Sequence, residues 1–169
     1  MCGIAGVCLT PGQAVKSDLL QGFLRALAHR GPDGEGSFVA DTVGLVHRRL
    51  SIIDVAGGAQ PITDRTGELT IIGNGEIYNY KAINAELAER NIAPRTGSDI
   101  EAALHMYRAH GLDFVRHLSG MYALALYDAR SGEVVLARDP SASSRSIWPR
   151  ANRVTRLRPN PPRSPAAAG

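Results

Sequence analysis

The sequence is short of cysteine: only Cys2 and Cys8 occur in 169 residues. On one strand the two would point the same way but sit too far apart to bridge. A disulfide framework is therefore excluded, and a reducing, cytoplasmic setting is expected. Long hydrophobic runs are also missing, since none approaches the roughly 18 residues of a membrane span. The opening Met-Cys-Gly-Ile-Ala-Gly-Val has no basic region followed by a long apolar stretch, so no signal peptide is expected. No internal repeat is visible. What remains is an ordinary globular composition, 44% hydrophobic and 21% charged, long enough for one domain with a real core.

Acidic residues are absent after Asp139, and that absence explains the net charge of +3. Residues 1–140 carry 13 Lys and Arg against 16 Asp and Glu, whereas residues 141–169 carry six arginines and no acid. The basicity that would hint at nucleic acid thus belongs to the tail alone. That tail also holds five of the ten prolines and the single Trp, without helix or strand period. It is expected to be disordered or poorly packed, leaving the preceding hairpin with an unpaired edge.

Periodicity organises the body. Cys2 to Leu9 is a short apolar run that reads as a buried strand, ended by Pro11-Gly12. Leu19, Leu20, Phe23, Leu24 and Leu27 recur at helical spacing behind Ser17-Asp18, a candidate cap pair, predicting a helix over 18–29. Gly31 to Gly34 and Gly57 to Pro61 are loops by turn chemistry. Ser37–Ala40 and Val43–Ile53 read as strands joined at Asp41-Thr42. Leu69–Gly73 is a strand running into a loop at Asn74-Gly75-Glu76. Helical periods follow at 81–90 and 99–110, then a hairpin of Met121–Tyr127 and Val134–Ala137. Strands at both ends around central helices predict an α+β fold with mostly antiparallel sheet.

Cys2 carries the chemistry. Removal of Met1 would leave it with a free α-amine of pKa near 8, partly neutral at pH 7. One residue then supplies nucleophile and base together; otherwise position 2 is simply a tolerated small residue. Attack on an amide needs donors for the oxyanion, and Asn74-Gly75 offers a side-chain amide and an unobstructed backbone N–H; a plain turn is the alternative. Glutamine as substrate would want an arginine fork for its carboxylate and a carboxylate for its ammonium. Arg49 and Asp99 are candidates, the alternatives being a surface strand charge and a helix N-cap. Spacing alone does not decide these assignments.

Seven stretches occur in order: Met1–Gly6, His29–Gly34, His47–Asp54, Gly57–Pro61, Asn74–Tyr80, Thr96–Asp99 and Leu118–Ala123. Together they resemble the glutaminase domain of glutamine-hydrolysing asparagine synthetases, of the class II amidotransferase type, from Met1 to about Pro140. The wording of His47 to Asp54 favours that type over other class II amidotransferases. The resemblance implies an N-terminal-nucleophile αββα sandwich of two antiparallel sheets and hydrolysis of glutamine to glutamate and ammonia through a Cys2 thioester. It implies Asn74 and Gly75 as the oxyanion hole and Arg49 at the substrate carboxylate. Backbone groups of Leu50, Ser51, Ile52 and Ile53 would line the pocket, with Glu76 and Asp99 at the substrate's amino end. No cofactor or metal is implied for this domain. ATP and Mg belong to the C-terminal synthetase domain that would receive the ammonia, and a homodimer is an option of the parent family.

Two departures stand out. No Ser-Gly-Gly-rich pyrophosphate loop of a synthetase domain occurs, and after Asp139 the family's Phe-Gly-Ile-Lys-Pro-Leu-Tyr-like segment is replaced by Pro140–Ile147. Deleting one base from the Phe codon of a GC-rich version of that segment yields Pro-Ser-Ala-Ser-Ser-Arg-Ser and allows Ile. Residues 141–169 therefore read as a frameshift product, the sandwich lacking its last strands. The competing readings are an inactive remnant and a module whose basic tail binds nucleic acid.

Overall fold

Strand alternation sorts the side chains into layers. The computed structural model describes residues 2–51, 57–139 and 154–158. One sheet has the order β1-β3-β2, with β1 Gly3–Cys8, β2 Gly34–Ala40 and β3 Val43–Arg49. The other has the order β4-β5-β6-β7-β8, built from Ile62–Thr63, Leu69–Ile77, Gly120–Asp128, Glu133–Arg138 and Val154–Leu157. Every described pairing is antiparallel. Val43 and Leu45 of β3 meet Ile72 of β5, Ala125 and Tyr127 of β6 and Val134 of β7 between the sheets, where Ile4, Cys8 and Phe38 join them.

Each sheet needs a helix to cover its other face. Helix α1, Ser17–Leu27, lays Leu20 and Leu24 on Val46. Helices α2, Tyr80–Glu89, and α3, Asp99–His110, bury Ile83, Leu87, Ile100 and Leu104 against Leu69, Ile71 and Ile77. Full burial of such side chains stabilises by about 1.5–3 kcal/mol each. The result is the expected αββα sandwich. Among the described residues no helix is long and apolar enough to cross a membrane.

Several expected boundaries need correction. Strand β3 stops at Arg49, because the Arg49 carbonyl and Ser51 N–H turn to Asp33 instead of continuing a ladder. The expected strand residues Ile52 and Ile53 lie outside the described residues. Strand β5 does not end at Gly73. It runs through Asn74-Gly75-Glu76 to Ile77, because β6 supplies partners along its whole length. The cap position of α1 is Lys16 rather than Ser17 or Asp18, and that of α3 is Ser98, with Asp99 the first helical residue.

The tail also departs from expectation. Val154–Leu157 pairs with β7, so the hairpin edge is occupied in place of being left open. Val154 packs on the helix side of the sheet and Leu157 on the inter-sheet side, the period-2 pattern of a strand. Arg156 and Arg158 both reach the Glu133 carboxylate, which is 5% exposed. The remainder of the predicted disordered segment lies outside the described residues.

Candidate active site

Cys2 sits one residue before β1, on the alternation face of Ile4 and Cys8, and therefore looks between the sheets. Its Sγ accepts a hydrogen bond from the Leu50 amide at 3.3 Å and lies 3.5 Å from the Leu50 carbonyl, to which the thiol can donate. Arg30 Nε donates to the Cys2 carbonyl at 3.1 Å, fixing the backbone from below. The turn after β3 is clamped by Asp33, whose N–H donates to the Arg49 carbonyl at 3.0 Å. Its Oδ2 accepts from the Ser51 amide at 2.7 Å. The thiol and the segment Arg49-Leu50-Ser51 are thus held as one unit. Burial pushes the Cys8 thiol above its usual value, so at the far end of β1 the second cysteine is kept protonated.

Arg49 ends the inward row Val43, Leu45, His47, Arg49 of β3. His47 is 1% exposed, and neither ring nitrogen has a hydrogen-bond partner in the protein. Burial and then the Arg49 charge lower its pKa to about 4, while the nearby Gly73 carbonyl opposes the shift without bonding to the ring. A neutral imidazole therefore fills the layer behind Arg49 at ordinary pH. Arg49 follows His47 by two residues at the end of β3, and Asn74 follows Gly73 on β5. Strand β5 contacts both β1 and β3.

Asn74 lies opposite Ala123 and shares the inward face of Ile72. Gly75 has φ +129°, and a Cβ there would fall 2.0 Å from the Met121 carbonyl oxygen, so glycine is required. Gln60 holds this stretch from the side, its Oε1 accepting from the Gly73 amide at 2.6 Å where β4 has already ended. Asp99, 4% exposed, accepts from the Ile77 amide at 2.7 Å. Burial raises its pKa and the Glu76 charge adds to that, so Glu76 and Asp99 form an acidic pair that a cation would relieve.

The sequence-derived candidates thus fall into two adjoining groups. Cys2, Arg49, Leu50 and Ser51 gather at the end of the first sheet; Asn74, Gly75, Glu76 and Asp99 gather at the end of β5. Ile52 and Ile53 lie outside the described residues. Sequence reasoning passed over Arg30, Asp33, His47 and Gln60 as site-building residues. All four sit inside the motif stretches, but only their long-range partners reveal what they do. Among the described residues no group of three or more His, Cys, Asp or Glu side chains could hold a metal ion.

The glutamine amidotransferase domain profile matches residues 1–144. Asparagine synthetase [glutamine-hydrolyzing] 2 of Bacillus subtilis is 38% identical over 142 residues, 82% of this chain and 19% of that protein. Asparagine synthetase B of Escherichia coli K12 is 40% identical over 141 residues, 82% of this chain and 25% of that one. The chain therefore spans about a fifth to a quarter of these relatives' length. Among solved structures, the glutamine phosphoribosylpyrophosphate amidotransferase of B. subtilis shares the fold at a TM-score of 0.51 and 19% identity, over 81% of this chain and 31% of that one. With 144 of its 169 residues matched to that profile, the chain belongs to the glutamine amidotransferase domain family.

Proposed function

We propose that this domain hydrolyses glutamine to glutamate and ammonia, with Cys2 as nucleophile, as the ammonia-supplying part of an asparagine synthetase-type enzyme. The observation that carries the reading is the Cys2 thiol seated on the Leu50 amide at 3.3 Å, on the same turn as Arg49. Once Met1 is removed, the α-amine of Cys2 takes the thiol proton and Sγ attacks the side-chain amide carbon. Asn74 Nδ2 and the Gly75 N–H donate to the tetrahedral oxyanion. Collapse expels ammonia, which carries off the proton held by the amine, and leaves a glutamyl thioester. The amine then deprotonates a water that attacks the thioester, and glutamate and the free thiol result. Arg49 receives the substrate carboxylate together with backbone of Leu50 to Ile53, and Glu76 with Asp99 receives the ammonium. The ammonia would pass to a synthetase partner using ATP and Mg.

The test is direct. Cys2→Ala abolishes glutaminase activity, Cys8→Ala retains most of it, and a glutamine-analogue electrophile labels only the mature N-terminal residue. Labelling at Cys8, or activity with Met1 retained, overturns the mechanism, and a wild-type chain without turnover would be a remnant. We also propose a frame change after Pro140; resequencing that finds no synthetase coding in the restored frame removes it.

A further inference from the structure

Glu101 belongs to no motif used above, yet it is the most heavily engaged carboxylate near the candidate ammonium site. It lies in the first turn of α3 and is 1% exposed. Its Oε1 accepts from the Arg95 amide at 2.8 Å, and its Oε2 accepts from the Thr96 amide at 2.7 Å and the Thr96 hydroxyl at 2.6 Å. His105, one turn further along α3, places Nε2 3.4 Å from Oε1. Thr96 in turn receives the Ser98 amide at 3.2 Å on its Oγ1. The whole loop entering α3 is therefore bound to one buried carboxylate, and that loop delivers Asp99 to the Ile77 amide beside Glu76. Burying a carboxylate is costly unless donors compensate it, and here they converge on a loop whose next residue is the proposed ammonium acceptor.

We infer that Glu101 is a positioning residue for substrate recognition: it fixes the Arg95–Ser98 loop so that Asp99 meets the α-ammonium of the substrate. This rests on the assignment of Asp99 proposed above. Glu101 touches no substrate itself, so its loss should act on binding of the amino end and leave the chemistry at Cys2 alone. Glu101→Gln keeps the shape but turns a donor toward the Thr96 amide, so the loop must move.

The experiment compares glutamine with glutaramate, the analogue lacking the α-amino group, in the full chain with Met1 removed. Glu101→Gln should raise KM for glutamine about tenfold, the scale of one charged hydrogen-bond set lost. Its kcat should stay within about twofold, and KM for glutaramate should be unchanged. Thr96→Val, which removes one of the donors, should show the same selectivity more weakly in a chain that remains folded. Asp99→Asn is the control for the underlying assignment and should abolish the preference for glutamine over glutaramate. If that control leaves the preference intact, the ammonium assignment falls and the role of Glu101 with it. If the control behaves but Glu101→Gln and Thr96→Val weaken both substrates equally, Glu101 only supports the fold and the inference is overturned.

Discussion

Strand β8 is made by a segment with the composition of a foreign tail, and its contribution can be measured. Val154 and Leu157 are half-buried on opposite faces of the sheet, one against the helix-side core and one against the inter-sheet core. Replacing both with Asp removes about 1 kcal/mol of apolar burial at each position, roughly half of what full burial of such side chains provides. The summed loss of about 2 kcal/mol would lower a urea midpoint by about 1 M for an m-value near 2 kcal/mol/M. The melting temperature should fall by about 4–8 °C in a chain of this size. Loss of β8 also separates the Glu133 carboxylate, 5% exposed, from Arg156 and Arg158, so Glu133→Gln should destabilise the intact chain more than it destabilises the double variant. The assay is equilibrium urea unfolding with hydrogen exchange at β7. Wild-type stability in the double variant, with unchanged exchange along Val134–Ala137, would refute the pairing and restore a tail that packs on nothing.

Further outcomes follow from the site and its supports. Arg49→Lys keeps charge but loses the planar fork, so its loss should appear mainly in KM, while Asn74→Ala should lower kcat by about a hundredfold or more. Gly75→Ala places a methyl 2.0 Å from the Met121 carbonyl at φ +129°, and should lose activity and soluble yield together, read by assay and gel filtration. Burial works to raise the Glu101 pKa, but His105, Thr96 and the Arg95 and Thr96 amides hold it at about 2, below its ordinary 4.5. Its contribution is thus full above about pH 4.5 and lost as pH falls toward 2, so Glu101→Gln should flatten the acid-unfolding profile in that window. Finally, Cys2→Ala should remove turnover without changing the urea midpoint, separating chemistry from folding.

The elements with a long period were legible from sequence. Helices at 17–27 and 99–110 and the hairpin across Asp128–Gly132 follow from apolar spacing and turn residues. Local chemistry misled where distant partners decided the matter. Asn74-Gly75 reads as a turn, yet β6 supplies Ala123 and Tyr122 opposite it and keeps the strand going. Val154–Leu157 is too short for a period to show, and its fate depends on an edge offered by β7. The two-residue strand Ile62–Thr63 and the 3-10 turn Gly111–His117 were invisible for the same reason of length. The identities of Cys2, Arg49 and Asp99 could be nominated from their chemistry. The hold of Arg30 on the Cys2 carbonyl and of Asp33 on Ser51 spans 28 and 18 residues, and only the fold creates it.

The alignment of β5 on β6 has a consequence for how the domain avoids assembling wrongly. At Gly75 the Met121 carbonyl comes too close for any side chain, and at Gly120 the Glu76 carbonyl does the same, with a Cβ there 2.1 Å away. A slip by one residue would turn Asn74 to the opposite face and would also press a side chain into one of those two carbonyls. The misaligned strand is thereby rejected on steric grounds before any catalytic competence is at stake. The two glycines work as a lock and key cut into the backbone, and a folded molecule carries Asn74 on the inward face as a condition of having folded.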